Sequence, residues 1–399
     1  MVICRRIRSL IVFLLLVLCF SPRTAFADSR KDKATIDSLW SAAIAHRNHG
    51  RMEQSNAILN DLLENYDLSK KFRKTVLYHG LAINSLLADD YRTHCHYAEL
   101  SGYTGGLSFY QPLAELPPQT INRPEFDVSV EYVADSVSLD GGNLSRHIRI
   151  PVSIGGEQEW FTLDNGCAHY SAVSESFAKE HGIHILDSKA KATGSTGAKT
   201  ALQMGYADSL SVGALTFRNI IFAVLPDSAF GNLDLSAIFG ANLLRLAGEM
   251  QFLQDERRIV FPRHQEDRES NLIMNQNDQH FAQVSVLGDT LRFVLDLGAT
   301  NTELNASFYK RDKKWIQSTY LPNTVAHHGV GGKREINVFV AQDLTFKSCG
   351  GEFTKEWTAI ETTAMEKQPD DVFGRLGVDF LLSFDKAVFN LKKMYLYVE

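Results

Sequence analysis

The chain has 399 residues, a formal net charge of −6, and 44% hydrophobic against 22% charged residues. That length allows two or three domains with sizeable cores. Mild acidity excludes the basic footprint of a nucleic-acid or anionic-surface binder, and the ordinary composition excludes a disordered or fibrous chain.

The chain opens on Arg5, Arg6 and Arg8, followed by an apolar run from Leu10 to Phe20 and the small-residue stretch Ala25-Phe26-Ala27. This reads as a secretory signal peptide over residues 1–27, because the run is short for a bilayer span; an uncleaved anchor is the rival. Cys19 hints at a lipoprotein signal, but Leu18 is bulky where such signals carry a small residue. Simple export, to a periplasm or the exterior, is therefore expected. The mature chain keeps Cys95, Cys167 and Cys349. Their spacing matches no zinc pattern, and each reads as a small buried side chain.

Residues 28–100 read as a small helical module. Ile36, Leu39, Trp40, Ala43 and Ile44 recur at helical spacing, Gly50 breaks the run, and Ala57, Ile58, Leu62 and Leu63 form a second stripe. Gly50, Ser55, Leu62 and Leu63 also fall where a tetratricopeptide-type hairpin places them, and Leu77, Leu81, Asn84 and Leu87 suggest a further helix. An inhibitory propeptide, a docking module for a protein partner and part of a lid are all compatible readings. Gly102, Gly105, Gly106, Pro112, Pro117, Pro118 and Pro124 mark residues 101–125 as a linker or covering strap.

The remainder is β-rich and repeats itself, with one unit over 126–265 and the other over 266–399. Val137 to Gly142 reads as a strand and turn. In the first unit a hairpin through Gly155-Gly156 runs into Phe161-Thr-Leu-Asp-Asn-Gly166; a short helix, the glycine loop Gly194-Ser-Thr-Gly197 and the motif Ile238-Phe-Gly240 follow, and Arg258–Phe261 closes the unit. In the second, a hairpin around Gly288 reaches Phe293-Val-Leu-Asp-Leu-Gly298, then the loop Gly329-Val-Gly-Gly332, the motif Arg375-Leu-Gly377 and a last strand from Met394. Aspartate to closing glycine is 76 residues in the first unit (164 to 240) and 81 in the second (296 to 377). Such a duplication predicts a pseudo-twofold axis that brings Asp164 and Asp296 together. The glycine after each aspartate is expected to permit the sharp turn that lifts the carboxylate from its strand.

Across residues 126–399 this pattern resembles the retropepsin-like and pepsin-like aspartic peptidases, whose hallmarks are a strand, Asp-Thr/Ser-Gly, a glycine-tipped flap and a later apolar-apolar-Gly motif. The resemblance implies a mainly β fold of two retropepsin-like β-barrel lobes behind the α-helical module. It implies Asp164 and Asp296 as a catalytic dyad that activates water for peptide hydrolysis. Asn165, Gly166, Leu297, Gly298, Thr300, Gly240 and Gly377 would support the loops, and Gly194, Gly197, Gly329, Gly331 and Gly332 would form flaps over the substrate. Two carboxylates in contact share one proton, so the pair titrates as a unit and its acid and base members are not separable. Asn165 and Leu297 depart from the family's hydroxyl residue, which leaves a degenerate peptide-binding pseudopeptidase as the alternative. A peptide or protein substrate, no nucleic acid, no metal or other cofactor, and a monomer are expected.

Other signals point to bland structure. The stretch Ala192 to Thr200 is only superficially like a phosphate loop, since Ala198 separates glycine from lysine. Cys167 with His169 lacks an orienting partner for thiol catalysis, and His94-Cys95-His96 lacks a further metal ligand. His327 and His328 stand beside the second flap, and Lys310 to Lys314 reads as an exposed charged face.

Overall fold

The computed structural model describes residues 29–134, 136–138, 144–194, 196–231, 235–364 and 369–399. The expected signal peptide and the turn at Asp140 to Gly142 lie outside them. No helix among the described residues is long and apolar enough to cross a membrane.

The architecture is mainly β, with two barrel-like lobes behind a helical N-terminal region. In the first lobe an eight-stranded sheet curls back on itself, because Leu215–Leu225 pairs along Lys199–Val212 as well as with Ser171–Ser174. The second lobe repeats this with eight strands, closed by the pairing of Ser285 with Lys347. Alternating apolar positions face the inside of each barrel. Phe161, Leu163, Phe217 and Phe239 fill one lobe and Phe293, Leu295, Phe346 and Leu376 the other, each essentially without solvent exposure.

A third sheet joins the halves. The strands expected to close each unit, Arg258–Phe261 and Tyr395–Val398, do not seal their own barrels. They flank the antiparallel pair Glu249–Leu253 and Lys386–Asn390 in a five-stranded floor that Val128–Glu131 completes. Strand periodicity identifies a strand but not the sheet that receives it.

The helical region is Ser29–Asn48, Met52–Asn65, a nearly continuous segment from Lys70 to Leu87 with a π-helical turn, and Tyr91–Ser101. Residues 101–125, expected as a linker, contain a further helix at Leu107–Ala114 and a strand, Thr120–Asn122, that extends the first lobe's sheet. Burial of Leu107 and Leu113 outweighs the glycines and the internal Pro112. The module is bolted to both lobes. His49 Nδ1 lies 3.1 Å from Ser270 Oγ, and a Cβ on Gly50, whose φ is +72°, would press on Met394. Arg245, on the helix after Gly240, bridges Asp89 of the module at 3.0 Å and Asp278 of the second lobe at 2.6 Å.

Candidate active site

Strand Glu157–Leu163 and strand Asp289–Leu295 each end in a fully buried leucine, and the next residue is the aspartate. Each lies in parallel register beside its closing motif, Leu163 with Phe239 and Leu295 with Leu376. The Asp164 amide donates to the Phe239 carbonyl at 3.1 Å and the Asp296 amide to the Leu376 carbonyl at 3.0 Å. Each carboxylate is then oriented by its own loop. Asp164 Oδ1 accepts from the amides of Gly166 (2.8 Å) and Cys167 (3.1 Å), and Asp296 Oδ1 from those of Gly298 (3.0 Å) and Ala299 (3.2 Å). The two carboxyl groups converge on the same space beside Gly166.

The glycines after the aspartates are required for space. Neither Gly166 nor Gly298 has a positive φ. A Cβ on Gly166 would sit 2.7 Å from Asp296 Oδ1, and one on Gly298 would run into the Asp164 carboxyl. The expected turns are present, with the Cys167 amide bonded back to the Asp164 carbonyl (3.3 Å) and the Ala299 amide to that of Asp296 (3.2 Å), but what requires glycine in them is the close approach of the two loops. Gly240 and Gly377 are likewise packed against backbone, at Tyr170 and at Asn301. Their amides donate to Ser171 Oγ (3.0 Å) and Thr302 Oγ1 (3.1 Å). The hydroxyl that braces the second loop therefore belongs to Thr302, while Thr300 lines the cleft and bonds Asn301.

The departures from the family's hydroxyl residue resolve asymmetrically. Asn165, 1% exposed, donates from Nδ2 to the Leu295 carbonyl and accepts at Oδ1 from the Leu297 amide, both at 2.8 Å. The Leu297 side chain is fully buried and makes no return bond. A carboxamide offers donor and acceptor together, so one residue holds both positions.

Burial and the charge of Asp296 push the Asp164 carboxyl up to about 7, against the opposing pull of the two loop amides. The same causes push the Cys167 thiol well above its ordinary value, so it stays a thiol. The His169 ring lies toward Asp278, with Nδ1 3.8 Å from Oδ2, which removes the thiol-nucleophile arrangement.

The sequence reading left three site residues without a role. Arg375 Nε lies 3.6 Å from Asp296 Oδ2, while its Nη1 donates to Glu303 Oε1 at 3.0 Å. His147 hydrogen-bonds the Gly298 backbone across the lobes, and burial lowers its pKa against the charge of Asp296. Arg375 had a visible signal, a cation in one closing motif where the other has Ile238. His147 and Glu303 had none, because only the folded sheet brings them to the dyad.

The flap hairpins are His184–Thr193 with Lys199–Val212 and Leu321–Gly329 with Gly332–Ser348. Gly194, Gly197, Gly329, Gly331 and Gly332 are at their tips, and the tips touch over the dyad. A Cβ on Gly194 would strike the Val330 carbonyl, and one on Gly331 would lie 3.0 Å from Thr196 Oγ1. The Gly331 amide also donates to the first lobe's Ala229 carbonyl at 2.7 Å. His327 lines the cleft beneath, and burial with Arg375 nearby lowers it to about 4. The cleft is about 850 Å³, lined by apolar residues of both lobes, Leu202, Leu225 and Ile238 from the first and Val325, Ile336 and Trp357 from the second, with Glu303 and Arg375 beside the dyad. No described residue before His147 lines it.

The remaining candidates do not assemble. His94 contacts the Ala82 carbonyl, Cys95 is buried and His96 packs on Tyr97. Cys95, Cys167 and Cys349 are free thiols.

Residues 150–243, which hold Asp164, its flap and Gly240, match the model of a family described as aspartyl protease. The resemblance read from the sequence holds for this lobe. No curated protein matches the chain. Among solved structures, a basic 7S globulin from lupine seeds, conglutin gamma, aligns at 11% identity and TM-score 0.39, over 70% of this chain and 94% of that one. A basic 7S globulin from soybean aligns at 10% and 0.40, over 68% and 96%. A retropepsin-like aspartic protease from Rickettsia conorii aligns at 16% and 0.21, over 36% and 91%.

Proposed function

We propose that the protein is an aspartic endopeptidase whose Asp164/Asp296 dyad activates water for hydrolysis of a peptide bond. The observation that carries this reading is the convergence of the two carboxyl groups, with Asp296 Oδ1 2.7 Å and Asp164 Oδ1 3.0 Å from one point beside Gly166, and with burial and the Asp296 charge pushing Asp164 up to about 7. A dyad with one proton does both halves of the work. Its ionised oxygen accepts a proton from water as that water attacks, and its acid donates to the scissile carbonyl oxygen, giving a tetrahedral intermediate without a covalent enzyme adduct. Closed flaps keep bulk water from the dyad. The cleft walls accept an extended peptide and offer apolar surface from both lobes to its side chains.

The basic and apolar start of the chain supports action after export. The helical module is read as a built-in part of the enzyme, since it packs on both lobes and leaves the cleft open. The test is cleavage of a mixed peptide library by the mature chain and by Asp164→Asn and Asp296→Asn, from acid to neutral pH. Cleavage lost in both variants is the expected result. A wild type that binds extended peptides and cleaves none would replace the enzyme with a peptide-binding module. Cleavage surviving both substitutions would remove these residues from the mechanism.

A further inference from the structure

In the strand beside each aspartate the pseudo-twofold axis relates residues of opposite character. In the first lobe Ile238 stands beside Thr162, two residues before Asp164, and pairs across to Ala172. In the second, Arg375 stands beside Val294, two residues before Asp296, and pairs across to Glu303. An apolar Ile–Ala pair under one aspartate is therefore an Arg–Glu pair under the other.

We propose that Arg375, fixed by Glu303, sorts the dyad, so that Asp296 enters the reaction as the carboxylate that takes the water's proton and Asp164 as the acid that protonates the scissile carbonyl. The inference rests on the peptidase reading and adds to it the assignment that titration as a pair leaves open.

The geometry favours this in several ways. Asp296 Oδ1 is held by loop amides, so Arg375 reaches the other oxygen, Oδ2, at 3.6 Å. Arg375, Glu303 and Asp296 are 11%, 13% and 22% exposed in their side chains, so the attraction is poorly screened. Beside Asp164 the corresponding positions hold Ile238 and Ala172, both buried, and neither offers charge. The other titratable groups lining the cleft leave the bias in place, and Lys355 there is tied to Asp379 and to Asn301. Cys167, behind Asp164, remains a thiol; His147, from the first lobe, and His327, from the second flap, are held toward their neutral forms by burial. Arg375 touches no reacting atom in this scheme and acts through Asp296, as a positioning residue.

The experiment compares full-length mature wild type, Arg375→Ile, Arg375→Lys and Glu303→Gln by pH profiles of kcat/KM. Each is also followed by 13C-carboxyl titration of the aspartates, which needs no turnover. Loss of a cation at this distance should raise the acid limb, and the dyad's lower titration step, by about one pH unit or more in Arg375→Ile. Arg375→Lys should keep both near wild type. Glu303→Gln, which removes the negative charge opposing Arg375 while keeping an acceptor for its Nη1, should move both downward. An unmoved limb and titration in folded Arg375→Ile, or a same-direction shift in Arg375→Ile and Glu303→Gln, would overturn the assignment. If Arg375→Ile does not fold, Arg375→Gln takes its place and must raise both. A wild type that cleaves nothing would fail the peptidase reading separately, while the carboxyl titration would still report whether Arg375 sorts the pair.

Discussion

Asn165 holds Leu297 across the lobe interface from one side only. Its carboxamide accepts the Leu297 amide and donates to the Leu295 carbonyl, while the Leu297 side chain packs without a polar contact. Asn165→Ala would leave a buried N–H and a buried carbonyl unpartnered, at about 1–3 kcal/mol each. Denaturant unfolding should show that loss, and cleavage should fall about tenfold or more as the carboxylates drift. Asn165→Thr alone satisfies only part of the arrangement. Combined with Leu297→Thr, which adds a hydroxyl from the opposite loop, it should recover stability beyond the sum of the single changes by about 1 kcal/mol in a double-mutant cycle.

The dyad sets the pH range. Activity should decline above about pH 7 as Asp164 gives up its proton. The same group makes stability pH-dependent with a definite sign. Its carboxyl moves from an ordinary value of 3.8 to about 7 on folding, so the folded chain binds more protons between these values. Stability from this group is therefore greatest at the acid end and is lost as pH rises through that window. Thermal melts across the window should show this decline, and Asp164→Asn should flatten it.

The flap contact predicts a binding effect. Gly194→Ala places a methyl against the Val330 carbonyl of the other tip, so the tips must part. KM for a peptide substrate should rise several-fold with a smaller change in kcat, and amide exchange at both tips should quicken. Equal loss in both kinetic constants would argue that the tips shape the transition state instead.

Arg245 should matter for stability more than any surface cation. Its interactions hold Asp278 well below the ordinary carboxyl range despite full burial. Arg245→Met strands that charge, at about 3–5 kcal/mol. Hydrogen exchange should then rise in His79–Leu87, next to Asp89. Arg311→Met, which loses partly exposed pairings with Asp289 and Asp312, should cost under about 1 kcal/mol.

Much of this arrangement was legible because it is local. An apolar strand running into Asp-x-Gly, with a closing glycine at a matched distance, reports a requirement the sequence must meet within a few residues. The reason for Gly166 and Gly298 was misread, because crowding by the opposite loop is a tertiary fact. Helix Leu107–Ala114 was hidden by Pro112 and neighbouring glycines, whose weak local preferences the packing of Leu107 and Leu113 overrides. The Arg375–Glu303 pair was invisible as a pair, since its members are 72 residues apart and meet through strand register.

The five-stranded floor has a kinetic corollary. Met250 and Phe389 face each other in its central strands, one from each half of the chain, and both are fully buried. The two aspartates are thus supplied by halves that share a covalent backbone and a common sheet, so no encounter between chains is needed to assemble the dyad. Turnover per molecule should stay constant on dilution to the lowest assayable concentration, and a chain cut once near residue 265 should remain one particle until it is denatured.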